Sequence, residues 1–161
     1  MIVVSDASPL INFAIIGNLE LLPKLFGEVI LPQTVFEELT IKGESMAGAD
    51  EIREADWIRV KSCTNQSLLL ALRNQIDPGE AESIVLALEL SADLILMDER
   101  MGRRIAKEFQ LAVTGTLGLL RDAKRHGHIK AVKPLLDKLI QANSFRVSQQ
   151  LYDEVLQSVG E

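Results

Sequence analysis

Residues 2–10, Ile2-Val3-Val4-Ser5-Asp6-Ala7-Ser8-Pro9-Leu10, decide the architecture. A β-branched apolar run that breaks at an aspartate, with serine and proline close behind, reads as a short buried strand (Ile2–Ser5) turning into a helix. Runs of the same kind recur at Val29–Leu31, Ile58–Lys61, Leu94–Met97 and Leu111–Val113. Amphipathic segments fill the spaces between them. They fall at Leu10–Ile16 and Leu19–Phe26, parted by Gly17-Asn18, then at Gln33 to about Thr40 behind Pro32, at Gly48–Ala55 and at Gln66–Asn74. The clearest helix opens at Asp77-Pro78-Gly79-Glu80 and runs to Leu90, and Arg100–Phe109 follows the fourth strand. Leu117–His126, Ala131–Ala142 and Val147–Val159 complete the series. Short apolar strands alternating with helices predict an α/β protein, a three-layer α/β/α sandwich around a central parallel sheet of four to five strands.

The bulk numbers agree with that reading and narrow the chemistry. A chain of 161 residues, 47% hydrophobic and 25% charged, can bury enough apolar surface to offset its conformational entropy. One cysteine, Cys63, rules out an intrachain disulfide and a cysteine zinc cluster, and the two histidines, His126 and His128, lie in a basic stretch without partner carboxylates. Any metal would therefore be held by oxygen. No basic leader precedes Ile2 and no run approaches the length of a membrane span, so a cytoplasmic protein without a membrane partner is expected. The net charge of −6 is unevenly spread: residues 1–99 carry 6 basic and 17 acidic side chains, 100–133 carry 9 and 2, and 134–161 carry 2 and 4. An acidic body thus bears one basic segment.

In an open parallel sheet the functional crevice lies outside the carboxyl ends of the strands. Asp6 and Asp98 each end a strand, although either could serve simply as a turn residue or helix cap. On the helix after the second strand, Glu38 shares the face of Val35 and Leu39, while Glu37 points about 200° away from Val35. An inward Glu38 needs a cation or the rim of a cavity. Asp77 and Glu80 have capping-box spacing and are read as structural. Glu82 has no such employment beyond a favourable place in the helix dipole. Asp6, Glu38, Glu82 and Asp98 are therefore the candidate catalytic and metal-ligating acids. Carboxylates gathered together raise one another's pKa unless a cation neutralises them, and hard oxygen donors suit Mg²⁺ or Mn²⁺. Such an ion can activate water for attack on a phosphodiester. Directly after Asp98, Arg100, Arg103, Arg104 and Lys107 form one stripe on a helix, the expected contact for nucleic-acid phosphates, which Arg121, Lys124, Arg125, Lys130 and Lys133 extend. The plainer alternative is a solvated helix face or a site for an acidic protein.

Five stretches in order resemble the PIN-domain family, in its branch of uncharacterised nucleic-acid-binding proteins related to VapC-like toxin ribonucleases. They are Val4–Leu10, Pro32–Leu39, Asp77–Ile84, Leu96–Arg100 and Thr114–Gly118. The resemblance implies an acid cluster binding Mg²⁺ or Mn²⁺ and ribonuclease activity, with RNA as substrate, a small antitoxin as partner and a homo-oligomer. By position it makes Asp6, Glu38, Glu82 and Asp98 the acids, with Glu99 replacing or assisting Asp98, Ser8 orienting the first acid and Thr116 bonding near the pocket. The nuclease domain is expected over residues 1–133, with 134–161 a C-terminal helical extension packed on it, longer than in a minimal toxin.

A haloacid-dehalogenase-type phosphatase would need a second acid at Ser8, and a receiver domain would need paired acids where Asp6 stands alone. The rival from another class is a non-catalytic PIN-fold module binding nucleic acid or protein. On the enzymatic reading, Asp98→Asn should abolish activity while the fold survives or gains stability through relief of carboxylate repulsion.

Overall fold

The β-branched runs form a five-stranded, all-parallel sheet in a computed structural model that describes residues 1–42 and 46–161. The strands are β1 (Val3–Ser5), β2 (Val29–Pro32), β3 (Ile58–Lys61), β4 (Leu94–Leu96) and β5 (Val113–Thr114), in the order β3-β2-β1-β4-β5. Val4 pairs with Ile30 on one side and Ile95 on the other. The chain leaves β1 towards β2 and β3, then crosses back to add β4 and β5. A crevice opens where the winding reverses, at the carboxyl ends of β1 and β4.

Side chains alternate across the strands, so the sheet feeds two separate cores. Val3, Val29, Leu31 and Leu96 face the helices α1 (Ala7–Ile15), α2 (Leu21–Phe26) and α8 (Thr116–Arg125). Leu136 and Leu139 of α9 (Lys133–Gln141), and Val155 and Leu156 of α10 (Gln149–Ser158), belong to that same core. Val4, Ile30, Ile95 and Met97 face the opposite side, against α6 (Pro78–Glu89) and α7 (Arg100–Glu108). The result is the three-layer α/β/α sandwich that the alternation of strands and helices predicts. Short helices α3 (Gln33–Glu37), α4 (Ala49–Glu54) and α5 (Gln66–Leu72) complete it among the described residues.

Three local departures from the sequence reading matter for the crevice. Helix α1 begins at Ala7 instead of Leu10, because Pro9 falls in the first turn, where a missing N–H costs nothing. The fifth strand lies at Val113–Thr114, one step later than expected, which brings Gly115 and Thr116 directly to the crevice. The helix expected over Gln33 to Thr40 ends at Glu37 and widens into a π-helical turn, Glu38–Lys42. Thr40 Oγ1 donates to the Phe36 carbonyl at 2.7 Å, and Arg53 donates to the Thr40 carbonyl, so side chains take over carbonyls near this wider turn.

Candidate active site

Asp6 is only 4% exposed and follows β1 directly, with its backbone N–H bonded to the Leu96 carbonyl of β4 at 2.9 Å. The strand pairing therefore holds this acid against the neighbouring strand's end. Burial pushes its carboxyl up from 3.8 to about 7; the Ala7 N–H opposes this, and Asp77, Glu38 and Asp98 add to it. Asp6 makes no side-chain cap hydrogen bond to the start of α1, and Ser8 lines the cleft beside Asp98 and Glu99.

Gly79, in the first turn of α6, is where the acids meet. A Cβ there would stand 3.2 Å from Glu38 Oε2, 3.4 Å from Val35 and 3.6 Å from Asp6 Oδ1. Glycine thus leaves the space between two carboxylates open. Glu38 lies at the exposed rim on the same side as Val35, which also approaches Gly79, while Glu37 bonds Gln33 at 2.9 Å. Partial burial of the Glu38 carboxyl raises its pKa, and Asp77 adds to the rise while Lys42 opposes it.

The third acid has two candidates on α6. Glu82 is buried, but its charge bears on Cys63, which it helps push to a higher pKa after burial itself, and the carboxylates acting on Asp6 are Asp77, Glu38 and Asp98. Two residues of α-helix turn a side chain about 200°, so Glu80 and Glu82 leave α6 on opposite sides. Glu80 is the one whose carboxyl feels the charge of Asp6. It is 5% exposed, and its Oε1 would stand 2.9 Å from a Cβ on Gly102 of α7. Burial raises its pKa most, followed by its side-chain hydrogen bond with Asp77, and Asp6 adds to the rise. The capping box is also present: Glu80 Oε2 accepts from the Asp77 N–H at 3.1 Å and Asp77 Oδ1 from the Glu80 N–H at 2.8 Å. The capping signal is genuine, but it does not exclude a place in the acid cluster. The proline and the glycine beside Asp77 were the available clue, since they bring this helix start close to other backbone.

Asp98 is built differently from Asp6. Its carboxylate accepts from the Thr116 N–H at 2.7 Å, the Thr116 hydroxyl at 2.7 Å and the Asn12 amide at 3.0 Å. It therefore clamps the N-terminus of α8 to β4 and α1, a favourable place for a negative charge. Asn12 also donates to the Thr116 hydroxyl at 3.1 Å. Nothing in the sequence pattern pointed to Asn12. These three bonds count against the expectation that Asp98→Asn leaves the fold intact or firmer. Glu99 is exposed beside Asp98 at the start of α7.

The four cations expected to contact phosphate do share a surface. Arg100, Arg103, Arg104 and Lys107 line a cleft of about 650 Å³ that ends at Asp98. Arg103 donates to the Met97 carbonyl at 3.0 Å, which anchors it at the crevice, and Arg104 pairs with Glu108 at 3.2 Å.

None of the ion pairs among the described residues involves Asp6, Glu38, Glu80 or Asp98. A buried carboxylate among others, with its pKa raised and no cationic partner, has the donor chemistry of a hard divalent-ion site. The fit is one of chemistry and charge: among the described residues no three acids stand close enough to enclose an ion by themselves.

Sheet order and the acids at its switch point place the chain among doubly wound α/β proteins with a carboxylate-rich crevice. The family is shown by a match over residues 2–161 to the PIN domain, and the chain belongs to the PIN-domain family, a family of nuclease-type proteins. The match runs through α9 and α10. No curated protein and no solved structure matches the chain. No helix among the described residues is long and apolar enough to cross a membrane.

Proposed function

We propose that this protein is a metal-dependent endoribonuclease of PIN type that hydrolyses RNA phosphodiesters. The observation that carries the reading is Asp6: buried at the end of the central strand, flanked by other acids, without a cationic partner among the described residues, and within the electrostatic reach of Asp98, which forms the end of the arginine-lined cleft. Asp6, Glu38 and Glu80 would hold Mg²⁺ or Mn²⁺, with Asp98 completing the negative field and Glu99 beside it. Since no three acids among the described residues enclose an ion by themselves, the ion would keep part of its water shell, as Mg²⁺ does. Such an ion lowers the pKa of bound water and offsets charge on the phosphate.

The chain's own residues supply the rest. Arg100, Arg103 and Lys107 draw the phosphate backbone towards Asp98 and oppose the repulsion that the acids exert on it. Thr116 and Asn12 fix the Asp98 carboxylate in direction. Glu38, exposed at the rim with its pKa raised, can accept a proton from water at the edge of the cluster. A cytoplasmic setting, a homo-oligomeric state, and a small antitoxin partner that would make the protein a toxin belong to the same proposal.

The test is cleavage of end-labelled RNA by the full chain with Mg²⁺, Mn²⁺ or EDTA. Metal-dependent fragments from the wild type and none from Asp6→Asn support the reading. Absence of cleavage across varied RNAs and both metals would refute it and leave a PIN-fold binding module.

A further inference from the structure

The turn between α9 and α10 enters the same crevice from the other side. Two clefts of about 590 and 630 Å³ flank it, and Asp98, Phe145 and Arg146 line both. The larger also contains Arg103 and Arg121, with Leu117 and Val155 as its apolar wall. Phe145 is half-buried against the core, and Arg146 is exposed.

The cations around this turn are not equivalent. Lys124 is held by Glu161 and the Val159 carbonyl, Lys133 by Asp137, and Arg125 lies 3.9 Å from Asp122. These belong to the fold's own ion pairs. Arg121 and Arg146 enter none of the ion pairs among the described residues, and Arg121 Nε is buried there with no hydrogen-bond partner. A buried guanidinium donor left unpaired is costly, and it lines a cleft that already holds three more arginines, Arg100, Arg103 and Arg146.

We propose that this cleft is a second strand-binding site, in which Arg121 and Arg146 grip phosphates and Phe145 offers its ring to an unpaired base. It rests on the nuclease reading for its orientation towards Asp98, and assigns to the C-terminal segment a role in holding RNA. Guanidinium groups set beside an apolar wall suit an unpaired strand, whose base faces are exposed, better than a duplex, whose bases are stacked inside. An acidic protein would find the cations but has no comparable use for the ring.

The test is fluorescence anisotropy of a short labelled oligoribonucleotide, unpaired or folded as a hairpin, with the full chain in EDTA so that binding is read without cleavage. Arg146→Ala should weaken binding of the unpaired strand about fivefold and reduce its salt slope by about 0.7, as loss of one phosphate contact does. Phe145→Leu, which keeps the apolar packing, should weaken it at least about fivefold with the slope unchanged, and Phe145→Tyr should restore it. Arg59→Ala, on β3, should change nothing. Unaltered affinity in both Arg146→Ala and Phe145→Leu, with folding confirmed by circular dichroism, would overturn the proposal and leave the face to an acidic protein. If these variants lose binding while the wild type cleaves nothing, the nuclease reading fails and this site stands. Cleavage with binding indifferent to both residues defeats this site alone.

Discussion

Replacing Asp6 by asparagine keeps the side chain's shape and removes its charge, so its effect on stability should depend strongly on pH. In the folded chain Asp6 keeps its proton up to about 7, whereas in the unfolded chain it releases it near 3.8. Between those values the native state binds more protons, so stability falls as pH rises through this window and is level above it. At about 1.4 kcal/mol per pH unit, the decline amounts to about 4 kcal/mol by pH 8. Asp6→Asn erases it. The variant is expected to be more stable than wild type by up to about 4 kcal/mol at pH 8, a margin that shrinks progressively towards pH 4. Urea unfolding of both proteins at intervals across pH 4 to 8, in EDTA, measures the difference directly. Glu38 and Glu80 also have raised pKa values and remain in both proteins, so subtracting the two curves leaves Asp6 together with the part of the Glu80 rise that Asp6 causes. Parallel stability curves across the whole range would show that Asp6 is not an uncompensated buried charge, and the argument for a cation at this crevice would go with it.

The same substitution at Asp98 should act with the opposite sign. Asp98→Asn loses charge-assisted bonds to Thr116 and Asn12 and is expected to destabilise the chain by about 2–3 kcal/mol at pH 7, read as a fall in the midpoint of thermal unfolding. Glu80→Gln preserves the capping box but removes an acid from the crevice, whereas Glu82→Gln removes one facing Cys63; RNA cleavage should drop at least about tenfold in the first and little in the second. Gly102→Ala would press a methyl group onto the Met97 sulfur and to within 2.9 Å of Glu80 Oε1, so a loss of about 1–3 kcal/mol is expected in chemical denaturation. Gly79→Ala puts its methyl between Glu38 and Asp6 and should weaken Mn²⁺ binding, measured by calorimetry, with a smaller effect on stability because the Glu38 carboxylate at the rim can move aside.

Residues 2–10 and their four counterparts along the chain already specified a parallel sheet, because a continuous β-branched run has no polar face to give to water and must be covered on both sides. Asp6 and Asp98 were legible as crevice residues for the same reason: an acid that directly ends such a strand lies at the sheet's carboxyl edge. The basic stripe after Asp98 was equally plain, since helical spacing alone puts Arg100, Arg103, Arg104 and Lys107 on one surface. These are local properties, decided by the period of a strand or a helix.

The choice between Glu80 and Glu82 was not local. A capping box is a complete explanation of Glu80 within its own helix, and only the packing of α6 against β1 and α7 brings the same carboxylate under the charge of Asp6. The helix of Glu38 widens into a π-helical turn in which Arg53 takes the carbonyl of Thr40, thirteen residues before it. Asp98 acquired its clamp from Asn12 and Thr116, which lie 86 and 18 residues away in the sequence. Periodicity ties each residue to its near neighbours, so it can say which face of an element a side chain occupies. It cannot say what another element brings to that face, because that depends on the angles at which helices and strands pack. The strands, the helices and the two strand-end acids were thus determined by sequence, and which carboxylates meet was decided by tertiary structure.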